Sequence, residues 1–159
     1  MHMENNSTEE LLEEEYLLGE EEDIVNKYLT FTSADLVYGI PIENVIEIIT
    51  NPTITSLPMV PDFVKGIINL RGQIVPIIDI RQVMNKPVNE EVSITCVIIL
   101  ELDAISIGVL VDSVLQVINI QNNLSAPPAK NHTFISGMTN LSDGTVMFSL
   151  DCEALLSNK

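Results

Sequence analysis

Apolar and polar residues alternate along most of this chain in short runs that read as β-strands. Tyr28-Leu29-Thr30-Phe31-Thr32 alternates and stops at Ser33-Ala34-Asp35, a turn signal. Strands are expected over 28–32, 37–42, 53–57 (between Pro52 and Pro58), 67–70 and 74–80. Arg71-Gly72-Gln73 joins the last two as a hairpin with Gly at the bend. Further along, strands are expected over 92–102, 104–111, 114–120, 134–141 and 145–150. Residues 61–65 suit one helical turn, with proline early, where its missing N–H is not needed. Other short helices are expected near 81–84 and after Asp151, which has the character of an N-cap. Residues 85–91 read as a polar connector and 119–133 as the longest loop.

The run Tyr38-Gly39-Ile40-Pro41-Ile42-Glu43-Asn44-Val45-Ile46-Glu47-Ile48-Ile49 matches Ile107-Gly108-Val109-Leu110-Val111-Asp112-Ser113-Val114-Leu115-Gln116-Val117-Ile118. Glycine, an acid, valine and the apolar positions stay in register. A second run, Phe63-Val64-Lys65-Gly66-Ile67-Ile68-Asn69-Leu70, matches Phe134-Ile135-Ser136-Gly137-Met138-Thr139-Asn140-Leu141, and Gly72 and Asp79 then match Gly144 and Asp151. The same order at nearly the same offset means an internal duplication. Two similar half-barrels are expected, about 28–92 and 93–155, the first strand being open to sharing between them. About five strands per half favour closure, because closure removes exposed edges. The fold class is therefore all-β: two similar five-stranded β-barrels with a common hydrophobic core.

Composition supports sheet and narrows function. The 159 residues include 21 Ile and 15 Val but no Trp, and β-branched side chains fit a pleated surface. The formal net charge is −16. Seven cations cannot form a phosphate-reading footprint, so nucleic acid and anionic membrane surfaces are not expected partners. The charge is uneven. Residues 1–23 carry ten acids and no Lys or Arg, whereas the rest carry 13 acids and 7 bases, a net of −6. The leader reads as a solvated acidic tail. Within it Ser7-Thr8-Glu9-Glu10 matches a capping box, followed by Leu11, Leu12, Tyr16, Leu17 and Leu18, so a short helix near 8–18 is allowed. No secretory signal or membrane-length apolar run is legible, and Cys96 and Cys152 read as thiols in a reducing cytoplasm.

Catalytic chemistry is not legible. His2 and His132 have no ligand partners at useful spacing, so no metal or other cofactor is expected. There is no Gly-x-Ser-x-Gly elbow and no phosphate loop. Asp112-Ser113-Val114 lacks the glycine that an aspartic-protease loop needs after its serine. Asp79 and Asp151 read as structural caps at equivalent strand ends.

The run Phe63-Val64-Lys65-Gly66-Ile67-Ile68-Asn69-Leu70-Arg71-Gly72-Gln73-Ile74-Val75-Pro76-Ile77-Ile78-Asp79-Ile80-Arg81 resembles the signature of the CheW family. Tyr38-Gly39-Ile40 with Val45 and Glu47-Ile48 resembles its first-barrel motif, and Gly108 to Val114 its second. Gly137, Asp143-Gly144 and Leu150-Asp151 resemble its C-terminal strands. The similarity covers residues 24–157. It implies Src-homology-3-like barrels and a non-enzymatic adaptor. Such an adaptor couples the cytoplasmic tips of transmembrane chemoreceptors to the regulatory domain of the histidine kinase CheA, and ring assemblies with CheA are one arrangement. It also implies a cytoplasmic protein recruited to receptor arrays at the inner face of the membrane.

Two sets of residues stand out. Glu47 and Arg71 form a candidate ion pair, structural or coupling, belonging to the first half only. The second half has Gln116 and Ser142-Asp143 at the matching places. Arg71 lies in a signature loop, Asn69, Leu70, Arg71 and Gly72. The second set follows from the resemblance: Leu29, Ile42, Val45, Ile48, Val114 and Leu115 would line an apolar groove for a receptor's helical hairpin. Ordinary core packing is the plain alternative for each, and a small-molecule pocket in the same groove is the competing functional reading.

Overall fold

A computed structural model describes residues 26–86, 95–121, 124–126 and 134–157. The acidic tail, the short helix allowed within it and the two histidines lie outside the described residues, as do 87–91 of the expected connector, 92–94 of the expected strand after it and most of 119–133. The strands in chain order are β1 (Asn26–Ser33), β2 (Leu36–Pro41), β3 (Val45–Thr50), β4 (Val64–Leu70), β5 (Gln73–Asp79), β6 (Cys96–Leu102), β7 (Ile105–Val111), β8 (Ser113–Ile120), β9 (Ile135–Asn140) and β10 (Val146–Leu150). A 3-10 turn, Ile42–Asn44, links β2 to β3. Two short helices follow β5 and β10: α1 (Ile80–Val83) and α2 (Cys152–Ser157).

The strands form two five-stranded sheets, β8-β1-β2-β10-β9 and β3-β6-β7-β5-β4. This differs from a split in which each half of the sequence makes its own sheet. The hairpin β1–β2 joins the later strands, and β6–β7 joins the earlier ones. The duplication survives this exchange: β1, β2 and β8 correspond to β6, β7 and β3.

Each sheet closes on itself through one extra bridge. Thr55 and Ile67 exchange backbone hydrogen bonds of 2.8 Å, and Ser125 and Met138 exchange bonds of 2.9 and 3.0 Å. The segment that follows one end strand (β3, β8) thereby pairs with the other end strand (β4, β9) of the same sheet, which closes the barrel. The glycines Gly66 and Gly137 occupy these crossings. A Cβ at Gly66 would strike the Thr55 carbonyl, and one at Gly137 would come within 2.9 Å of the Ser125 carbonyl oxygen. Matching bulges accompany them, at Val64/Gly66 and at Ser149/Leu150.

Alternation along each strand divides the core into three. Val97 and Ile99 of β6 face the interior of their own barrel with Ile68, Val75 and Ile77. Ile98 and Leu100 face the other way, into a cluster with Ile107, Val109, Leu29, Phe31, Tyr38, Ile40 and Leu150. That cluster draws on both sheets and is the common core. Tyr28, Ile120 and Met147 fill the second barrel. Phe31 and Tyr38 stack in the common core with ring centroids 5.5 Å apart.

Three local expectations are corrected. Residues 53–57 contribute a single bridge at Thr55, and the third strand is Val45–Thr50 instead. Residues 61–65 form no helix: Val64 N–H donates to the Pro61 carbonyl at 2.9 Å, one turn, and β4 has already begun. The expected strand to residue 42 stops at Pro41, which has no N–H to donate. The aspartate caps are present. Asp79 Oδ1 accepts from Arg81 N at 3.0 Å, and Asp151 Oδ1 from Ala154 N at 3.1 Å. Cys152, buried at the start of α2, has its thiol pushed up to about 12 by burial.

Candidate functional site

The exposed apolar residues of β3 and β8 obey the duplication. Against β6, Val45 pairs with Leu100 and Glu47 with Ile99, leaving Ile46 as the extra residue of a bulge. Against β1, Val117 pairs with Leu29 and Val114 with Phe31, leaving an equivalent bulge at Leu115 and Gln116. A bulge re-aims side chains. Ile46 and Leu115 are 49 % and 50 % exposed, and the next matching pair, Ile48 and Val117, 43 % and 49 %. Val45 and Val114 are half-buried and pack on the common core. Each barrel thus presents the same aliphatic step: one valine seated on the core, two further aliphatic side chains turned to solvent.

The six groove residues expected from sequence divide accordingly. Leu29 is buried within the common core, and Ile42, Val45 and Val114 pack against that same cluster. Ile48 and Leu115 are exposed on the strands that carry the two valines. Ile46 and Val117 belong to the same surface and were missed. The duplication was the signal for both, since they are the partners of Leu115 and Ile48.

The signature loop is the tight turn of the β4–β5 hairpin. Arg71 and Gly72 both have positive φ, 52° and 83°, as a two-residue type I′ turn demands. Asn69 Oδ1 accepts from Gly72 N at 2.9 Å, and Leu70 pairs with Gln73. The turn carries the Arg71 side chain to Glu47 on β3. There Arg71 Nη1 lies 2.7 Å from Glu47 Oε1. The Arg71 side chain is 74 % exposed and that of Glu47 27 %. Glu47 Oε1 itself is shielded from solvent and has no aligned hydrogen bond, so the contact is Coulombic. In the second barrel the place of Glu47 is taken by Gln116. Its backbone is held by Thr30, whose Oγ1 donates to the Gln116 carbonyl at 2.7 Å and accepts from Gln116 N at 3.2 Å.

A second ion pair was not anticipated. Asp112 is the single residue between β7 and β8, where the chain crosses from one sheet to the other. Arg81 Nε donates to its Oδ1 at 3.0 Å, and Arg81 Nη2 contacts its Oδ2. Ala34 N donates to the same Oδ2 at 2.9 Å, while Asp112 N donates to the Thr32 carbonyl at 2.9 Å. The hydrogen bond to Asp112 holds the Arg81 guanidinium above its ordinary range. Both residues stand in recognised motifs, but nothing local in the sequence joins positions 31 apart.

The CheW-like domain family model matches residues 27–159. The chemotaxis protein CheW of Klebsiella aerogenes is 32 % identical over 143 residues, 87 % of this chain and 86 % of that protein. The chain belongs to the CheW family. CheW of Thermotoga maritima is 30 % identical over 95 residues, 60 % of this chain and 62 % of that one. The crystal structure of the scaffolding protein CheW from Thermoanaerobacter tengcongensis superposes with a TM-score of 0.73 at 30 % identity, covering 80 % of this chain and 89 % of that chain. Family membership agrees with the resemblance read from the signature run, and the neighbour has the two-barrel fold. Like its CheW relatives, the chain is a chemotaxis protein of scaffold type. No helix among the described residues is long and apolar enough to cross a membrane.

Proposed function

We propose that this chain is a non-enzymatic adaptor that couples transmembrane chemoreceptors to the regulatory domain of CheA. The observation that carries this reading is the repeated aliphatic step on β3 and β8, at the rim of the core shared by two barrels. Side chains such as Ile48 and Leu115 are suited to receive the apolar face of a helical hairpin, and half-buried Val45, Val114 and Ile42 would form the floor. Leu29 acts beneath them as core. Apolar anchors of this kind supply binding energy without any reacting group. Work as an adaptor needs no cofactor. The protein would be cytoplasmic and recruited to receptor arrays at the inner face of the membrane, with ring assemblies alongside CheA as one arrangement. Glu47 and Arg71 would fix the hairpin whose loop takes part in coupling.

The test is a binding assay with two partners, a purified CheA regulatory domain and a chemoreceptor tip fragment. Both should bind the full chain. Val45→Glu should weaken receptor binding while kinase binding and the far-ultraviolet spectrum are unchanged. Equal loss of both partners in a folded variant would rule out the groove assignment.

A further inference from the structure

Leu115 and Val117 stand two residues apart on β8, each about half exposed, beside half-buried Val114. We infer that this face is covered in the free protein by the chain's own N-terminal segment 11–18, which competes with the receptor hairpin. The competition rests on the reading that this face receives a receptor. The contact itself does not.

Where the chain enters the fold is the first argument. The described residues begin at Asn26, which pairs with Ile120 at the end of β8. Val117 is three residues back along that strand, about 10 Å, and Leu115 five, about 17 Å. The eight steps from Leu18 to Asn26 span up to about 26 Å, so the segment reaches both without being fully extended.

Composition is the second argument. In a leader otherwise dominated by acids, Leu11, Leu12, Tyr16, Leu17 and Leu18 place five large apolar side chains within eight residues. At 100° per residue a helix would spread these five around its circumference, so the contact rests on their apolar content and not on a single helical face. Charge does not drive the contact, because leader and domain are both acidic. Apolar burial does, and added salt screens the repulsion rather than weakening the contact. A short tether raises the local concentration to about the millimolar range, so even a millimolar contact is about half occupied. A competitor's apparent affinity then falls by the occupied fraction, about twofold or more.

Methyl-labelled NMR on the full chain tests this. Tyr16 ring protons should show cross-relaxation to the Leu115 and Val117 methyls, unchanged on dilution and in 0.5 M salt. The double variant Leu12→Ser, Tyr16→Ser should lose those contacts, shift both methyls and bind a receptor tip fragment about twofold or more tightly. No contact in the wild type overturns the inference, and so does a contact that fades on dilution, which would mean a second copy's segment. An unchanged receptor affinity in the variant overturns the competition. A tip fragment that binds neither protein overturns the groove reading alone, since the methyl contacts report on the segment directly.

Discussion

Asp112 grips Arg81 with both carboxylate oxygens at the one residue where the chain passes from β7 in one sheet to β8 in the other. The same carboxylate holds the Ala34 amide in the β1–β2 turn. One acid thus fastens α1, the crossover and a hairpin of the opposite sheet. At the equivalent crossover between β2 and β3 the matching acid is Glu43, exposed and without an ion-pair partner among the described residues. The duplicated fold therefore has one fastened crossover and one that relies on packing.

Removing either partner should be felt in stability. The Arg81 side chain is 14 % exposed and that of Asp112 26 %. Such a pair lies between a surface bridge, worth about 1 kcal/mol or less, and a buried one, whose breakage costs about 3–5 kcal/mol. Arg81→Ala should lower unfolding free energy by about 2 kcal/mol, and Asp112→Ala by more, because Ala34 N loses its acceptor as well. Urea denaturation of both singles and the double variant should show coupling of about 1 kcal/mol. Strictly additive losses would mean the two groups do not act as a pair.

Asp79 should give stability a distinctive pH dependence. Burial raises its carboxyl above the ordinary value of 3.8, with Asp112 adding to the rise and the Arg81 amide, Lys65 and Arg81 opposing it. Its folded-state value therefore exceeds its unfolded one. The folded state binds the proton first, so this group's contribution is complete below the unfolded value and is lost as pH rises through the folded one. Asp79→Asn removes that term and keeps an acceptor for the Arg81 amide. Its stability relative to wild type should be most favourable at pH 7 and should decline as pH falls towards 4. Urea midpoints across that range check it, and a constant difference would contradict the burial argument.

How much of this was legible in the sequence depends on the range of the interaction. The type I′ turn at Arg71-Gly72, the aspartate caps and the paired glycines are local, and each could be read from a few adjacent residues. The duplication was legible too, but only partly used. It lays Val45 to Ile49 over Val114 to Ile118, a segment expected as strand, although alternation alone predicts no strand over the first copy. Glu47 stands between two adjacent apolar pairs, Val45-Ile46 and Ile48-Ile49, so the run does not alternate strictly, and a bulge at Ile46 shifts the pattern by one. Sheet membership was not legible at all. Leu29 and Ile98 have the same local pattern whichever sheet their strands join, and the exchange of β1–β2 with β6–β7 is decided by packing across the common core. The Arg81–Asp112 pair was hidden for the same reason.

The duplicated glycines Gly39 and Gly108 should differ in tolerance. Both sit mid-strand where the interior of a barrel leaves no room for a side chain. A Cβ at Gly39 would meet Met147 Sδ at 2.5 Å, and methionine is an unbranched chain that can re-route. One at Gly108 would strike Ile77 Cδ1 and come within 2.8 Å of Val97 Cγ1. Those are branched side chains in a fully buried cluster. Gly108→Ala should cost about 2–3 kcal/mol and Gly39→Ala about 1 kcal/mol. Thermal denaturation of the two variants decides it, and the reverse order would show that the second barrel is the more tightly packed.

Arg71 offers a way to separate fold from coupling. Its side chain is three-quarters exposed, so its attraction to Glu47 is on the scale of a surface bridge, about 0–1 kcal/mol. Its backbone sits at φ 52°, where an L-residue is strained and glycine is not. Arg71→Gly therefore deletes the charge and eases the turn in one step, and the two effects on stability oppose each other. The melting temperature should move by no more than about 3 °C. If the guanidinium contributes to coupling, receptor-dependent kinase activation should fall several-fold in this variant despite the intact fold. Arg71→Lys should restore little of it, because lysine keeps the charge and loses the planar fork. Full activation by Arg71→Gly would confine the residue to a structural role in closing the first barrel.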